Sequence, residues 1–235
     1  MNKSSFTLCI PALNEIEGLK AIMPKIDRAW VDQILILDGG STDGTIEWCR
    51  KSGYEVYVQK QLGLRKAYQE AWPMMSGEFI ITFSPDGNSM PEKIPELIAK
   101  LKEGYDMVIV SRYLDEAKSE DDDIITGFGN WLFTRLVNVL YCANYTDVMV
   151  MFRGYRKQII YDLKFDGDEG FVIPEKIFNT RISIEPLLSV RVAKNKLRVG
   201  EIAGDEPKRI GGVRKLNIIR WGLAYFYQFI AEKFS

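Results

Sequence analysis

Carboxylates that end apolar runs are the residues of this 235-residue chain with the clearest chemical potential. Ile34-Leu35-Ile36-Leu37 leads into Asp38-Gly39-Gly40-Ser41-Thr42-Asp43-Gly44-Thr45. A second apolar run, Phe79 to Phe83, leads into Ser84-Pro85-Asp86-Gly87-Asn88, and a first one into Pro11-Ala12-Leu13-Asn14-Glu15. In an open α/β sheet, ligands bind outside the carboxyl ends of the strands. Glu15, Asp38 and Asp86 would then share one rim, which suits hydrogen bonds to a base and ribose plus a metal-bridged diphosphate. Asp86 and Asn88, two apart, offer hard oxygen ligands to Mg²⁺ or Mn²⁺, with diphosphate oxygens and water completing an octahedron. Taken alone, each segment has a plainer reading. Pro-Asp-Gly is an ordinary turn, and Asp38–Thr45 is a strand-turn-helix corner rich in N-capping residues. Their joint placement at three strand ends favours a site.

The elements that must position these residues alternate. Strands are expected over Phe6–Leu13, Gln33–Leu37, Glu55–Val58, Glu78–Phe83 and Met107–Val110. Helices are expected over Glu17–Arg28 (with Pro24 able to shorten it), from Ile46, over Leu64–Met75 as far as Pro73, and over Pro91–Lys102. That alternation predicts an α/β fold with a doubly wound, mostly parallel sheet. After Tyr113 the pattern loosens. Helices are expected over Asn130–Cys142 and Ser183–Ala193, with Asp147–Phe152 between them and Leu197–Ile202 extended. The last stretch, Asn217–Lys233, predicts an aromatic amphipathic helix. Its narrow polar stripe is Asn217, Arg220, Gln228 and Glu232, completed by Ala224. Such a helix could lie in a membrane interface, pack on its own domain, or join a second copy in a homo-oligomer.

Composition narrows the functions. The formal charge of −1 gives no overall attraction to nucleic acid, and the absence of histidine excludes His-metal sites and catalytic triads. Three dispersed cysteines point to a reducing compartment. The N-terminus lacks an apolar leader, so no signal peptide is expected, and no apolar run reaches membrane-spanning length. Charge is uneven. Residues 115–123 hold six acids against one lysine, which reads as a solvated loop, whereas residues 208–235 hold six basic residues against one acid.

These motifs together resemble those of family 2 glycosyltransferases with the GT-A fold. Pro11–Glu15 resembles Pro-x-Tyr/Phe-Asn-Glu, Asp38–Thr45 resembles Asp-Asp/Gly-Gly-Ser-x-Asp-Gly-Thr, and Leu62-Gly63-Leu64-Arg65-Lys66-Ala67 the donor-side helix that follows. Ser84-Pro85-Asp86 stands where Asp-x-Asp belongs. Within the family, the second half is most similar to polyprenyl-phosphate sugar transferases such as dolichyl-phosphate mannosyltransferase. The segments carrying this are Val110-Ser-Arg112-Tyr113, Thr146-Asp147 through Phe152-Arg153, Ile184-Glu185-Pro-Leu-Leu, and Arg209-Ile-Gly-Gly212-Val-Arg214-Lys215-Leu. There are departures. Ser84 replaces the first acid of the metal motif, Leu13 an aromatic residue, and Val150-Met151 a Ser-Gly pair. The segment near Asp121-Asp122-Asp123 lacks an expected arginine and puts acids near a lipid phosphate.

The resemblance implies inverting transfer of a hexose from a nucleotide-sugar of the GDP-mannose or UDP-glucose class to a polyprenyl phosphate at the membrane surface. Pro11, Leu13, Glu15, Asp38, Arg65, Lys66, Ser84, Pro85 and Asp86 would bind the donor, and Asp86 and Asn88 the metal. Arg112, Thr126, Arg209 and Lys215 would hold the acceptor phosphate, with Asp86, Arg112 and Asp147 catalytic. An anionic phosphate needs no general base. A sugar hydroxyl would, from Asp147 first and then Asp205 or Glu206. Two alternatives stand beside this: a soluble family 2 transferase acting on a saccharide hydroxyl, and a weakened nucleotide-sugar-binding module, motivated by Ser84. The implied organisation is a glycosyltransferase domain over residues 1–215 and a C-terminal helix over 216–235. Residues 1–113 of that domain would form the nucleotide-sugar half and 114–215 the acceptor half. The protein would be cytoplasmic or peripheral on the cytoplasmic face of the membrane.

Overall fold

A computed structural model of the chain describes residues 4–210 and 218–235. Seven strands, β1 (Phe6–Ala12), β2 (Gln33–Asp38), β3 (Glu55–Val58), β4 (Phe79–Thr82), β5 (Met107–Ser111), β6 (Arg153–Arg156) and β7 (Val199–Ala203), form one sheet in the order β3-β2-β1-β4-β6-β5-β7. All pairings are parallel except those of β6, which runs antiparallel to both β4 and β5. The α/β class and the mostly parallel sheet are as expected.

Helices cover both faces. On one side, Phe6, Leu8 and Ile10 of β1 pack with α1 (Ile16–Ile22), α2 (Thr45–Lys51) and α4 (Lys93–Lys102). On the other, Cys9, Leu35, Leu37 and Ile80 meet α3 (Leu64–Ala71), α5 (Ile124–Tyr141), α6 (Gln158–Asp162), α8 (Glu185–Lys194) and α9 (Ile218–Lys233). Strands buried on both faces read as unbroken apolar runs rather than as alternation, which is why β1, β2 and β4 stand out in the sequence. Both prolines that were expected to shorten helices do so. Short 3₁₀ turns at Met23–Lys25 and Trp72–Met74 follow α1 and α3.

Three differences from expectation have physical causes. β6 carries Arg-Gly-Tyr-Arg, hardly a strand pattern. A Cβ on Gly154 would stand 2.6 Å from the Leu97 side chain and 2.7 Å from that of Leu101, so glycine lets these two leucines of α4 pack down on the strand. Arg153 is fully buried, with its guanidinium donating to the carbonyls of Val148, Val150 and Glu185. α5 begins six residues before the expected Asn130, because Asp123 and Thr126 form a reciprocal capping box ahead of it. Residues 147–152 form no element and instead wrap around the Asp147 carboxylate, which accepts from the amides of Met149 and Val150.

The C-terminal helix also packs with an unexpected face inward. Gln228 and Glu232, half of its polar stripe, are buried beside Ala224, Tyr225 and Phe229. Glu232 pairs with buried Arg191 of α8 at 3.1 Å, and Gln228 donates to the Gly170 carbonyl at 2.8 Å. Ile219, Leu223 and Phe226 consequently point outward.

Candidate functional site

β1, β2 and β4 are neighbours and parallel, so their carboxyl ends open on one rim, with Ala12 registered against Asp38. The turns beyond β1 and β2 are cross-linked. The Asn14 amide donates to Ser41 Oγ at 2.8 Å, the Thr42 amide to Asn14 Oδ1 at 2.8 Å, and the Glu15 amide to Thr45 Oγ1 at 3.2 Å. Asp38 is fully buried. Its Oδ1 accepts from the amides of Gly40 and Ser41, and its Oδ2 from the Ser41 hydroxyl. Both oxygens therefore shape the turn. Asp43 accepts from the Thr45 hydroxyl and amide and from the Ile16 amide. Burial pushes its carboxyl up, but these hydrogen bonds outweigh it and hold the group below its ordinary value.

The turn after β4 is tied into the same rim. A Cβ on Gly18 would lie 2.3 Å from the Pro85 carbonyl, so glycine lets α1 rest directly on this turn. Asp86 Oδ1 accepts from Ser84 Oγ at 2.7 Å and from the Asn88 amide at 3.3 Å. Oδ2 faces Arg209 Nη1 at 3.6 Å. Asn88 Nδ2 donates to Glu206 Oε1 at 3.2 Å. Among the described residues no three His, Cys, Asp or Glu side chains gather around a metal position. The donors at this turn are one carboxylate, one amide and one hydroxyl, all hard oxygens. They fit part of a Mg²⁺ or Mn²⁺ shell that phosphate oxygens and water would complete.

Joined to this turn, through Asn88–Glu206 and Asp86–Arg209, is a charged network centred on Arg112. Its Nε and Nη2 donate to Asp147 at 2.6 and 3.1 Å, and its Nη1 to Glu206 Oε2 at 3.1 Å. Glu206 also accepts from Ser119 Oγ, and its backbone bridges the acidic segment through Lys118 and Glu120. Burial pushes the Glu206 carboxyl above its ordinary value, against the pull of Arg112. Arg209 forks onto Asp121, with Nε at 3.2 Å and Nη2 at 2.7 Å. The acidic run is thus not a wholly solvated loop. The side chains of Asp121 and Asp122 are only 13% and 12% exposed, and turn toward the two arginines.

These walls enclose a cavity of about 390 Å³. One side is polar, with Ser84, Asp86, Asn88, Arg112, Glu206 and Arg209. The other is apolar, with Phe133, Met149, Val150, Phe152, Trp221 and Tyr225. Thr126, engaged in its capping box, lines it as well. At Ile125 the apolar wall runs out onto α5, where Ile124, Phe128, Trp131 and Leu132 are exposed.

The other expected site residues fall as follows. Leu13 is exposed on the rim beside Gly39, and Pro11 is half-buried. Arg65 and Lys66 face the segment before α7 (Val172–Phe178). Both pair with Asp168, and Arg65 also pairs with Glu175 at 2.7 Å. Asp147 is fully buried beneath Arg112. Lys215 lies outside the described residues. Glu206 and Asp121 are the cavity residues that sequence reading placed least well. The signal available was two arginines, Arg112 and Arg209, that needed acidic partners.

The fold and rim define a class of protein. Glucosyl-3-phosphoglycerate synthase from Mycobacterium tuberculosis, solved with Mn²⁺, UDP and glucosyl-3-phosphoglycerate, superposes with a TM-score of 0.65 at 16% identity, over 98% of this chain and 80% of that one. The architecture is the GT-A fold. The family model for glycosyl transferase family 2 matches residues 7–164, and the chain belongs to that family. A glycosyltransferase of Haloferax volcanii, AglJ, is 25% identical over 91% of this chain and 71% of its own length. An undecaprenyl-phosphate 4-deoxy-4-formamido-L-arabinose transferase of Salmonella choleraesuis is 27% identical over 66% of this chain. The match spans about half of that relative's length (49%).

Proposed function

We propose that this family 2 glycosyltransferase moves a hexose from a nucleotide-sugar to a polyprenyl phosphate at a membrane surface, with inversion at the anomeric carbon. The observation that carries the reading is the two-sided cavity. The Asp86–Asn88 turn meets an apolar wall that continues onto the exposed face of α5, as an amphiphilic acceptor requires. Support also comes from the relative named for undecaprenyl phosphate and the neighbour holding Mn²⁺ and UDP.

On this reading the β1 and β2 turns, with Pro11, Leu13, Glu15 and the Asp38 corner, form the nucleotide wall. Ser84, Asp86 and Asn88 would hold a divalent ion, whose charge would neutralise the departing nucleoside diphosphate. The acceptor's phosphate oxygen is already anionic, so no general base is needed. It bonds to the anomeric carbon as the bond from that carbon to the diphosphate oxygen breaks. Arg209, its side chain 27% exposed, meets the phosphate more directly than Arg112, at 12%. Thr126 and Lys215 would complete the phosphate contacts, while Asp147 fixes Arg112. Arg65 and Lys66 act by holding the donor-side helix in place. The exposed apolar residues of α5 and of the outer face of α9 would supply the membrane contact; among the described residues no helix is long and apolar enough to cross a membrane.

A second reading rests on charge. Asp86, Asp121, Asp122 and Glu206 outnumber the two arginines at the cavity, and a carboxyl raised by burial, Glu206, is suited to accept a proton from a sugar hydroxyl. Radiolabelled UDP-glucose and GDP-mannose supplied with undecaprenyl phosphate in vesicles and, separately, with soluble saccharides decide between them. Label in an organic-extractable product is expected. Label only in a water-soluble saccharide would reject the lipid acceptor.

A further inference from the structure

Asp86 has one oxygen available to a cation, and a side chain of this chain already faces it. Oδ1 is occupied by the Ser84 hydroxyl and the Asn88 amide, whereas Oδ2 looks onto Arg209 Nη1 at 3.6 Å. The segment carrying Arg209 is seated on this turn. The Ile210 amide donates to the Asp86 carbonyl at 2.7 Å, and a Cβ on Gly87 would come within 2.5 Å of the Ile210 side chain. The other two nitrogens of the guanidinium fork onto Asp121, so it bridges two carboxylates.

From this geometry we infer that Arg209 is a built-in cation at Asp86, competing with the divalent ion for Oδ2. An ion about 2.1 Å from Oδ2 on the side that Nη1 faces would stand in contact with Nη1, and two cations at that range repel. Loading the metal and releasing Arg209 from Asp86 are then one event. The planar fork lets the guanidinium leave Asp86 while keeping Asp121. Its freed edge would face the cavity at the moment the donor complex is complete, ready for an anionic acceptor. The inference rests on the metal reading of Asp86 given above.

The test is Mn²⁺ binding, read from the spin-resonance signal of the free ion in saturating UDP, on the intact chain. Arg209→Gln and Arg209→Met are each expected to bind Mn²⁺ about tenfold more tightly than the wild type, the charge effect being reduced by solvent and salt. Lys208→Gln, which removes a neighbouring exposed charge, is expected to stay near the wild-type value, as is Arg209→Lys, which keeps the charge. Equal or weaker binding in both neutral Arg209 variants, or an equal gain in Lys208→Gln, overturns the inference. Asp86→Asn separates the two claims. If it binds Mn²⁺ as the wild type does, the metal reading itself falls. If it loses Mn²⁺ while the Arg209 variants are unchanged, only the competition is refuted.

Discussion

At the scale of single residues, the site is defined more by how charges are paired than by which charges are present. Arg112 is held by the fully buried Asp147 on two nitrogens and by Glu206 on a third. Removing one partner of a buried, hydrogen-bonded pair strands the other charge. Asp147→Asn is therefore expected to cost about 3 kcal/mol of stability, measured by urea unfolding. A loss within about 0.5 kcal/mol, the range of surface substitutions, would mean that the pair is not a structural anchor. The types of these residues were visible in the sequence, and their partners were not. Asp147 reads as a base when seen alone and as a clamp once Arg112 is beside it. Asp38 likewise reads as a ligand-facing carboxylate, yet both its oxygens close their own turn.

At the scale of elements, legibility followed burial. β1, β2, β4 and β5 and their helices were readable because doubly buried strands are apolar throughout and prolines mark helix ends, and the half-buried edge strand β3 because Val and Tyr favour strands. β6 was hidden because its centre is a glycine under α4 and its first residue a buried arginine. The face of α9 was misleading for a related reason. Two of its polar residues, Gln228 and Glu232, are buried because the Gly170 carbonyl and Arg191 supply partners from distant sequence. Distant pairing also tethers α3 to the segment before α7, where Asp168 accepts from Lys66 and Arg65. The Lys66 hydrogen bonds, with help from Arg65, hold the Asp168 carboxyl below its ordinary value. A lowered folded value means the tether is fully present above the ordinary carboxylate range and is lost as pH falls through the lower, folded value. Thermal unfolding followed from neutral to acid pH should show this. Asp168→Asn should lower stability by about 1 kcal/mol at pH 7, since the pair is partly exposed, and should flatten the decline in acid. An unchanged pH profile in the variant would remove Asp168 from the account.

At the scale of the whole molecule, the sheet brings three strand ends to one rim, and the less regular second half builds the wall joined to it. That division explains why the proposed donor side was legible as motifs and the proposed acceptor side less so. The rim is made by local turns, each of a few consecutive residues. The wall beside it gathers Arg112, Asp121, Asp147, Glu206 and Arg209 from separate segments. The cavity they line is where transfer is proposed to occur, and Asp86 is the residue common to the proposed metal position, the turn after β4 and Arg209. The most direct measurement is the rate of label transfer from nucleotide-sugar to undecaprenyl phosphate by the wild type and by folded Asp86→Asn. A divalent-ion-dependent lipid-linked product, with at least about a hundredfold loss in the variant (roughly 3 kcal/mol of barrier), is predicted. Equal turnover by the two proteins would contradict the assignment of this cavity as the site of sugar transfer.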